Sequence, residues 1–192
     1  MKAAKLGLIL LALASLPAVA APGLYIQGDA AYAKLKIKDD GGSTSNNGFA
    51  PRLSVGYDFG NNIRAAVDYT HYKTEKYSET TDYDHEHGKV KFNSIGVSAF
   101  YDFDVHPQLK PYVGARLGVN RVDAKDYYES ASSQSSYSYR KTKTGIGALA
   151  GVGFNVTDNV TLDAGYRYNY WGKFDEAKLH THEASIGVRV KF

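Results

Sequence analysis

The chain contains no cysteine, so no disulfide supports its fold and no thiol chemistry is available to it. Beyond the first twenty residues it has no run approaching the ~20 apolar residues that a membrane-spanning helix needs. Net charge is small, at +3. It falls to about +1 if Lys2 and Lys5 are removed, too little to argue for nucleic acid as a partner. No Gly-x-Ser-x-Gly elbow occurs. The histidines lie in or beside connecting segments, with His71 the nearest to an exception. A hydrolase would need a nucleophile or water held by a fixed base, and none is apparent, so an enzyme is not expected. No cofactor is implied.

Residues 1–20 have the form of a secretory signal: a basic start at Lys2 and Lys5, an apolar centre from Leu6 to Leu16, and the small-residue exit Ala18-Val19-Ala20. Pro17 and the shortness of the run argue against a membrane anchor. Cleavage after Ala20 is expected, leaving one domain over 21–192. An exported protein without a helical anchor is soluble in the periplasm, secreted, or a β-barrel. Tyrosine (16) and glycine (19) are both heavily used, as aromatic membrane belts and tightly curved strands require.

Alternation organises the rest. In the last ten residues Ala184, Ile186, Val188, Val190 and Phe192 alternate with Glu183, Ser185, Gly187, Arg189 and Lys191. A period of two puts these sets on opposite faces of a strand. The same pattern recurs from Gly23, from Phe49 to Phe59, from Ile63 to Thr70, from Ile95 to Phe103, from Val113 to Asn120, from Ile146 to Phe154 and from Val160 to Tyr170. That makes eight strands. Long connections near 37–48, 73–91, 123–143 and 172–181 alternate with the short turns Gly60-Asn61-Asn62, Val105 to Lys110 and Thr157-Asp158-Asn159. The expected fold is all-β: an eight-stranded antiparallel up-and-down transmembrane barrel.

A soluble lipocalin-like barrel also has eight strands and would carry its apolar side chains inside. Two features favour the membrane barrel. Tyr57, Phe59, Tyr101, Phe103, Phe154 and Phe192 lie beside the short turns or the C-terminus, and Tyr32, Phe49, Tyr69, Tyr168 and Tyr170 lie beside the long connections, as two girdles around an aliphatic band. The polar face is also balanced. Arg52, Arg64, Arg116, Arg167, Arg189 and Lys191 match Asp29, Asp58, Asp68, Asp102, Asp163 and Glu183. Inside so narrow a barrel those charges can pair, which is the condition for burying them. The residues expected to form this interior network are Arg52, Arg64, Asp68, Asp102, Arg116, Asp163, Arg167, Glu183 and Arg189.

VDYTHYK (67–73), AFYDFD (99–104), KPYVGARLGVNR (110–121), LDAGYRYNYWGK (162–173) and GVRVKF (187–192) resemble the opacity-protein family of neisserial outer-membrane barrels. The resemblance covers most strands and all three short turns, and leaves out the long connections. It implies residence in the bacterial outer membrane among lipid and lipopolysaccharide, periplasmic termini, surface-exposed loops, and adhesion to a host-cell receptor or other extracellular macromolecule. The aromatic at the final residue is implied to belong to the insertion signal. A monomer is expected. The family carries the name porin, but a filled eight-stranded interior should conduct poorly. No binding residue carries over, because binding in the family lives in the loops.

The loop candidates follow from composition. The stretch 123–143 is rich in tyrosine and serine, the pairing that antibody loops use for contact area and adaptable hydrogen bonds. Tyr77, Tyr83, Tyr127, Tyr128, Tyr137 and Tyr139 are the candidate binding residues, with Tyr72 beside them. Simple extension of the strands beyond the membrane is the alternative reading. His85 and His87, with His180 and His182, have metal-ligand types. Their spacing is not that of a structural site, and a solvated charge-mixed loop is the plainer reading. A mainly structural barrel and a small-solute porin stand as rivals to the adhesin.

Overall fold

The computed structural model describes residues 22–39, 42–72, 74–80, 84–130, 133–174 and 177–192, and of 38–39, 43, 75–80, 84–89, 124–130, 133–138, 173–174 and 177 the backbone alone. The expected signal peptide, residues 1–20, lies outside the described residues.

Ten strand segments follow one another: β1 (Gly23–Asp39), β2 (Gly42–Phe49), β3 (Arg52–Asp58), β4 (Ile63–His71), β5 (Glu75–Thr80), β6 (Asp84–Asp102), β7 (Leu109–Ser130), β8 (Ser133–Asn155), β9 (Val160–Phe174) and β10 (Ala177–Lys191). They form eight staves. Segments β2 and β3 both pair with β1, and β4 and β5 both pair with β6. Pro51 separates β2 from β3 because it cannot donate to the ladder. The facing pattern runs through it unchanged, with Phe49 and Leu53 outward and Ala50 buried. Pairing of β1 with β10, from Tyr25↔Lys191 to Lys38↔Lys178, closes the sheet. Closure leaves no barrel edge, the condition for a sheet to cross lipid.

The three tight turns share one end. Gly60 (φ 75°) and Asn62 (φ 67°) take the left-handed conformation that the first of them requires. The C-terminus is tied in at the same end, where the Phe192 N–H donates to the Leu24 carbonyl at 2.9 Å. At the other end the stretches expected as loops are paired strand. The β1–β2 ladder continues to Asp39↔Gly42, and β7–β8 continues to Ser130↔Ser133. The hairpins β5–β6 and β7–β8 are joined by the β6–β7 ladder, which reaches Asp84↔Ser130.

Within the barrel the faces are those of a membrane protein. Val67, Val97, Leu117, Ile146 and Ile186 are 52–69% exposed on the outer surface, whereas Arg64, Asp68, Arg116, Asp163, Arg167 and Glu183 are 1–4% exposed inside. Aromatics flank the outer band. Tyr57 meets Phe59, and Tyr101 meets Phe103, edge-on at 5.1 Å beside the short turns. Tyr32, Phe49, Tyr69 and Tyr166 are exposed toward the hairpin end. The soluble-barrel alternative would require the opposite arrangement.

Candidate functional site

The interior is built in layers. Nearest the short turns, Arg64 grips Asp102 with two bonds, Nε to Oδ2 at 2.5 Å and Nη2 to Oδ1 at 2.7 Å. Its guanidinium also lies 4.7 Å from the centre of the Phe100 ring and 5.2 Å from that of Tyr112. Such stacking suits the planar, weakly hydrated arginine head. The Tyr112 hydroxyl donates to Asp163 Oδ1 at 2.8 Å. Below this layer a cavity of about 530 Å³ opens among the short turns.

The middle layer is a belt of ion pairs. Arg116 holds Asp68 with Nε and Nη2, both at 2.8 Å, and Nη2 also donates to Ser94 Oγ at 2.9 Å. Methyl groups at Gly96 and Gly118 would press on this guanidinium and displace it from Asp68, so glycine at both positions favours the pair. Arg167 Nη1 reaches Asp68 Oδ1 at 3.0 Å. Arg52 donates through Nε to Asp29 Oδ2 at 2.9 Å and brings Nη1 to 3.6 Å from Glu183 Oε2.

Glu183 completes the belt. Its Oε2 accepts from Arg167 Nε at 2.8 Å and Nη2 at 2.5 Å. Its Oε1 accepts from Tyr72 at 2.6 Å, Asn169 Nδ2 at 2.9 Å and Thr181 Oγ1 at 3.0 Å. A carboxylate so surrounded can stay ionised without water.

Above the belt the interior turns apolar. Trp171 is fully buried and clusters with Tyr72, Leu179, Ala31, Ala33 and Ala50, packed against Leu35, Ile37, Phe92 and Val122. The Trp171 ring meets Tyr72 edge-on at 5.1 Å and Phe92 at 6.2 Å, and Nε1 donates to Thr181 Oγ1 at 3.2 Å. Cavities of about 30 Å³ lie at this cap and in the belt, room for about one water each.

The network expected from the sequence differs from this one at two points. Asp163 meets Tyr112 rather than an arginine, and its Oδ2 has no hydrogen-bond partner. Arg189 has no carboxylate within ion-pair distance among the described residues, lies 5.7 Å from the centre of the Tyr25 ring, and leaves Nη1 without a partner. In register, Arg189 stands opposite Thr161, and Asp163 opposite Gly187. Tyr72, grouped with the loop tyrosines, is instead a buried donor to Glu183. The apolar cap was not anticipated. Its signal is a change of phase, since Leu24 and Ile26 are even-numbered but Leu35 and Ile37 are odd.

Of the loop candidates, Tyr77 lies on β5, Tyr127 and Tyr128 on β7, and Tyr137 on β8, with backbone alone described. Tyr83 lies outside the described residues. Tyr139, also on β8, is exposed, with Lys141 Nζ 5.8 Å from its ring centre. His85 and His87 are described on β6 by backbone alone. Among the described residues no three metal-binding side chains gather. His180 and His182 sit on the outer face of β10, each joined through Nδ1 to a tyrosine hydroxyl at 2.6 Å, Tyr168 and Tyr166 respectively.

The profile described as Opacity family porin protein matches residues 55–192. Opacity protein opA67 of Neisseria gonorrhoeae is 33% identical over 228 residues, covering 88% of this chain and 97% of the relative. The chain belongs to the Opacity family. Opacity protein opA65 of the same organism is 34% identical with the same coverage. The crystal structure of neisserial surface protein A superposes with a TM-score of 0.63 at 44% identity, covering 88% of this chain and 97% of that one. The attachment invasion locus protein Ail of Yersinia pestis, solved with a heparin analogue, shares the fold at 22% identity and a TM-score of 0.58. This Opacity-family chain is therefore a closed eight-stranded barrel of the bacterial outer membrane. The resemblance carried by its strand and turn motifs extends over most of its length.

Proposed function

We propose that this Opacity-family barrel is a surface-display protein whose hairpins bind a host macromolecule. One observation carries the reading: above the hairpin-end girdle, β5, β6, β7 and β8 continue as one paired sheet over a lumen filled with charge and capped by Trp171. A paired sheet over a plugged barrel suits contact rather than passage. Presenting a surface already ordered also lowers the entropy cost of binding. Tyrosine-rich composition on that sheet supports the same reading. In this reading the hairpins face outward, the short turns and both termini face the periplasm, and the monomer sits among lipid and lipopolysaccharide.

The test replaces residues 73–91 and 123–143 with short turns. The barrel should keep its heat-resistant folded band on a gel, because its own ladder closes it. Binding of the purified, refolded protein to epithelial cells should disappear. If binding survives the replacement, the protein is not a loop-borne adhesin, and a mainly structural barrel becomes the better account.

A further inference from the structure

We propose that the outer face of β1, β10 and β9 at the hairpin end is a recognition site for the phosphate groups of outer-leaflet glycolipid. The proposal rests on the outward orientation of the hairpins given above.

Register brings the site together. Lys36, His180 and Tyr170 form one row across the three strands, and Lys34, His182 and Tyr168 form the next. Rows on one face of a strand lie about 7 Å apart, and neighbouring strands about 5 Å apart. Two lysines, two imidazoles and two phenols therefore occupy one small patch. Lys34 is exposed, and Lys36, His180 and His182 are half-buried. The aromatic rings order the patch: Tyr168 stacks on His180 at 5.8 Å, and Tyr170 lies 5.2 Å from His180. A tyrosine hydroxyl that donates to Nδ1 leaves the ring proton on Nε2, and a protonated imidazole donates from both nitrogens. The two lysines, the imidazole Nε2–H groups and the Tyr170 hydroxyl can thus offer a positive charge or a donor to an oxyanion.

Charge distinguishes this wall from the opposite one. On β7 and β8 the Asp123 carboxylate accepts from Arg121 at 2.9 Å and Arg140 at 2.7 Å, so the two guanidiniums there share a carboxylate. On the outer face of β2, β1, β10 and β9, above the girdle, no carboxylate stands among the described residues; Asn47 and Ser45 lie opposite Lys34 and Lys36. Two lysines make the patch hostile to a divalent cation and suited to an anion. Continuity with the lipid face selects the source of that anion. The next rows down are Tyr32–Ala184–Tyr166, Ala30–Ile186–Ala164 and Gly28–Val188–Leu162, with Ile186 69% exposed. A ligand whose phosphate meets the lysines has its acyl chains along that apolar surface. Basic residues at a membrane surface bind lipid headgroups in this way.

The experiment uses the refolded full-length barrel in detergent micelles. Binding of rough lipopolysaccharide is measured against the same lipid after phosphatase treatment, and inorganic phosphate is added as competitor. Wild type should retain the phosphorylated lipid and lose it on dephosphorylation. Lys34→Ser with Lys36→Ser should bind about thirtyfold more weakly, at roughly fivefold per lysine near an anionic surface. Lys91→Ser, on the outer face of β6 across the barrel, should bind as wild type, and all variants should keep the heat-resistant band. Equal binding of dephosphorylated lipid, or an unaffected double variant, overturns the proposal. Displacement by millimolar inorganic phosphate overturns the lipid assignment and leaves a simple anion site. Because the chain has no cysteine, Asn47→Cys can be labelled in intact cells with an impermeant maleimide. Labelling only after permeabilisation would refute the orientation, whatever the lipid result.

Discussion

Glu183 is the residue whose loss should be felt most widely. Its two oxygens accept from Arg167, Tyr72, Asn169 and Thr181, and its side chain is fully enclosed. Glu183→Ala leaves Arg167 only the shared Asp68 carboxylate as an anionic partner, at 3.0 Å, and deprives Arg52 of a charge 3.6 Å away. Breaking a buried pair from one side costs roughly 3–5 kcal/mol, because the remaining charge is left uncompensated. Glu183→Gln should cost less. Its carbonyl can still serve Arg167, and the hydroxyls of Tyr72 and Thr181 can rotate to accept. Asn169 can turn its amide to meet the new NH₂, since its own Oδ1 has no partner. Urea unfolding in lipid vesicles, followed by fluorescence, reads this site directly, because Trp171 is the only tryptophan and bonds Thr181 beside Glu183. An Ala variant within about 1 kcal/mol of wild type would mean that water screens the belt, and the filled-lumen account would fail.

Three further outcomes follow from the same geometry. Val97→Arg, on the lipid face, should cost roughly 2–4 kcal/mol near the membrane midplane, whereas Val105→Arg in an exposed turn should stay within about 0.5 kcal/mol; equal costs in vesicle unfolding would remove Val97 from lipid. Planar bilayers containing the protein should show no discrete conductance steps, and such steps from the wild-type barrel would reinstate the porin. Burial raises the Asp123 carboxyl, but the bonds from Arg140 and Arg121 outweigh it and hold the group below the usual carboxylate range. A carboxyl depressed in the folded state stabilises above its unfolded pKa and ceases to do so as pH falls through the folded one. The β7–β8 hairpin should thus be indifferent to pH from 7 down to the carboxylate range and loosen only below it, a step that Asp123→Asn abolishes in an amide-exchange measurement.

The barrel itself was legible because lipid and a narrow interior impose opposite demands on alternate residues. Val67 and Asp68 could hardly exchange places. The strand count and the short turns followed from that single period. Partner choice inside did not. Whether Arg64 meets Asp102 or Asp163 depends on register and stagger, and every arginine in the alternation carries the same signal. The paired hairpins were illegible for a different reason. Once both faces of a strand meet water, neither needs to be apolar, so the period fades from Lys73 onward although the ladder continues.

The cap shows what a phase change in the alternation means physically. In β1 the outward residues Leu24, Ile26 and Tyr32 face the membrane, and the inward Gln27 and Asp29 face the charged lumen. Above the girdle the outward residues are Lys34 and Lys36, while Leu35 and Ile37 pack inward around Trp171. The backbone has not turned over; its outer solvent has changed from lipid to water. Within the membrane an apolar exterior costs nothing, so polar groups are forced inside and must pair there. Outside it the ordinary hydrophobic effect returns and rewards an apolar interior. One strand therefore serves two solvents, and the residue at which its polarity inverts marks the membrane boundary, here between Tyr32 and Lys34. The apolar core formed above that boundary fixes the base of the hairpin sheet to the barrel. It also seals the lumen that the ion pairs already fill. If the proposed display function holds, display and passage are opposed in this molecule: the packing around Trp171 that anchors the base of the hairpin sheet also fills the top of the lumen.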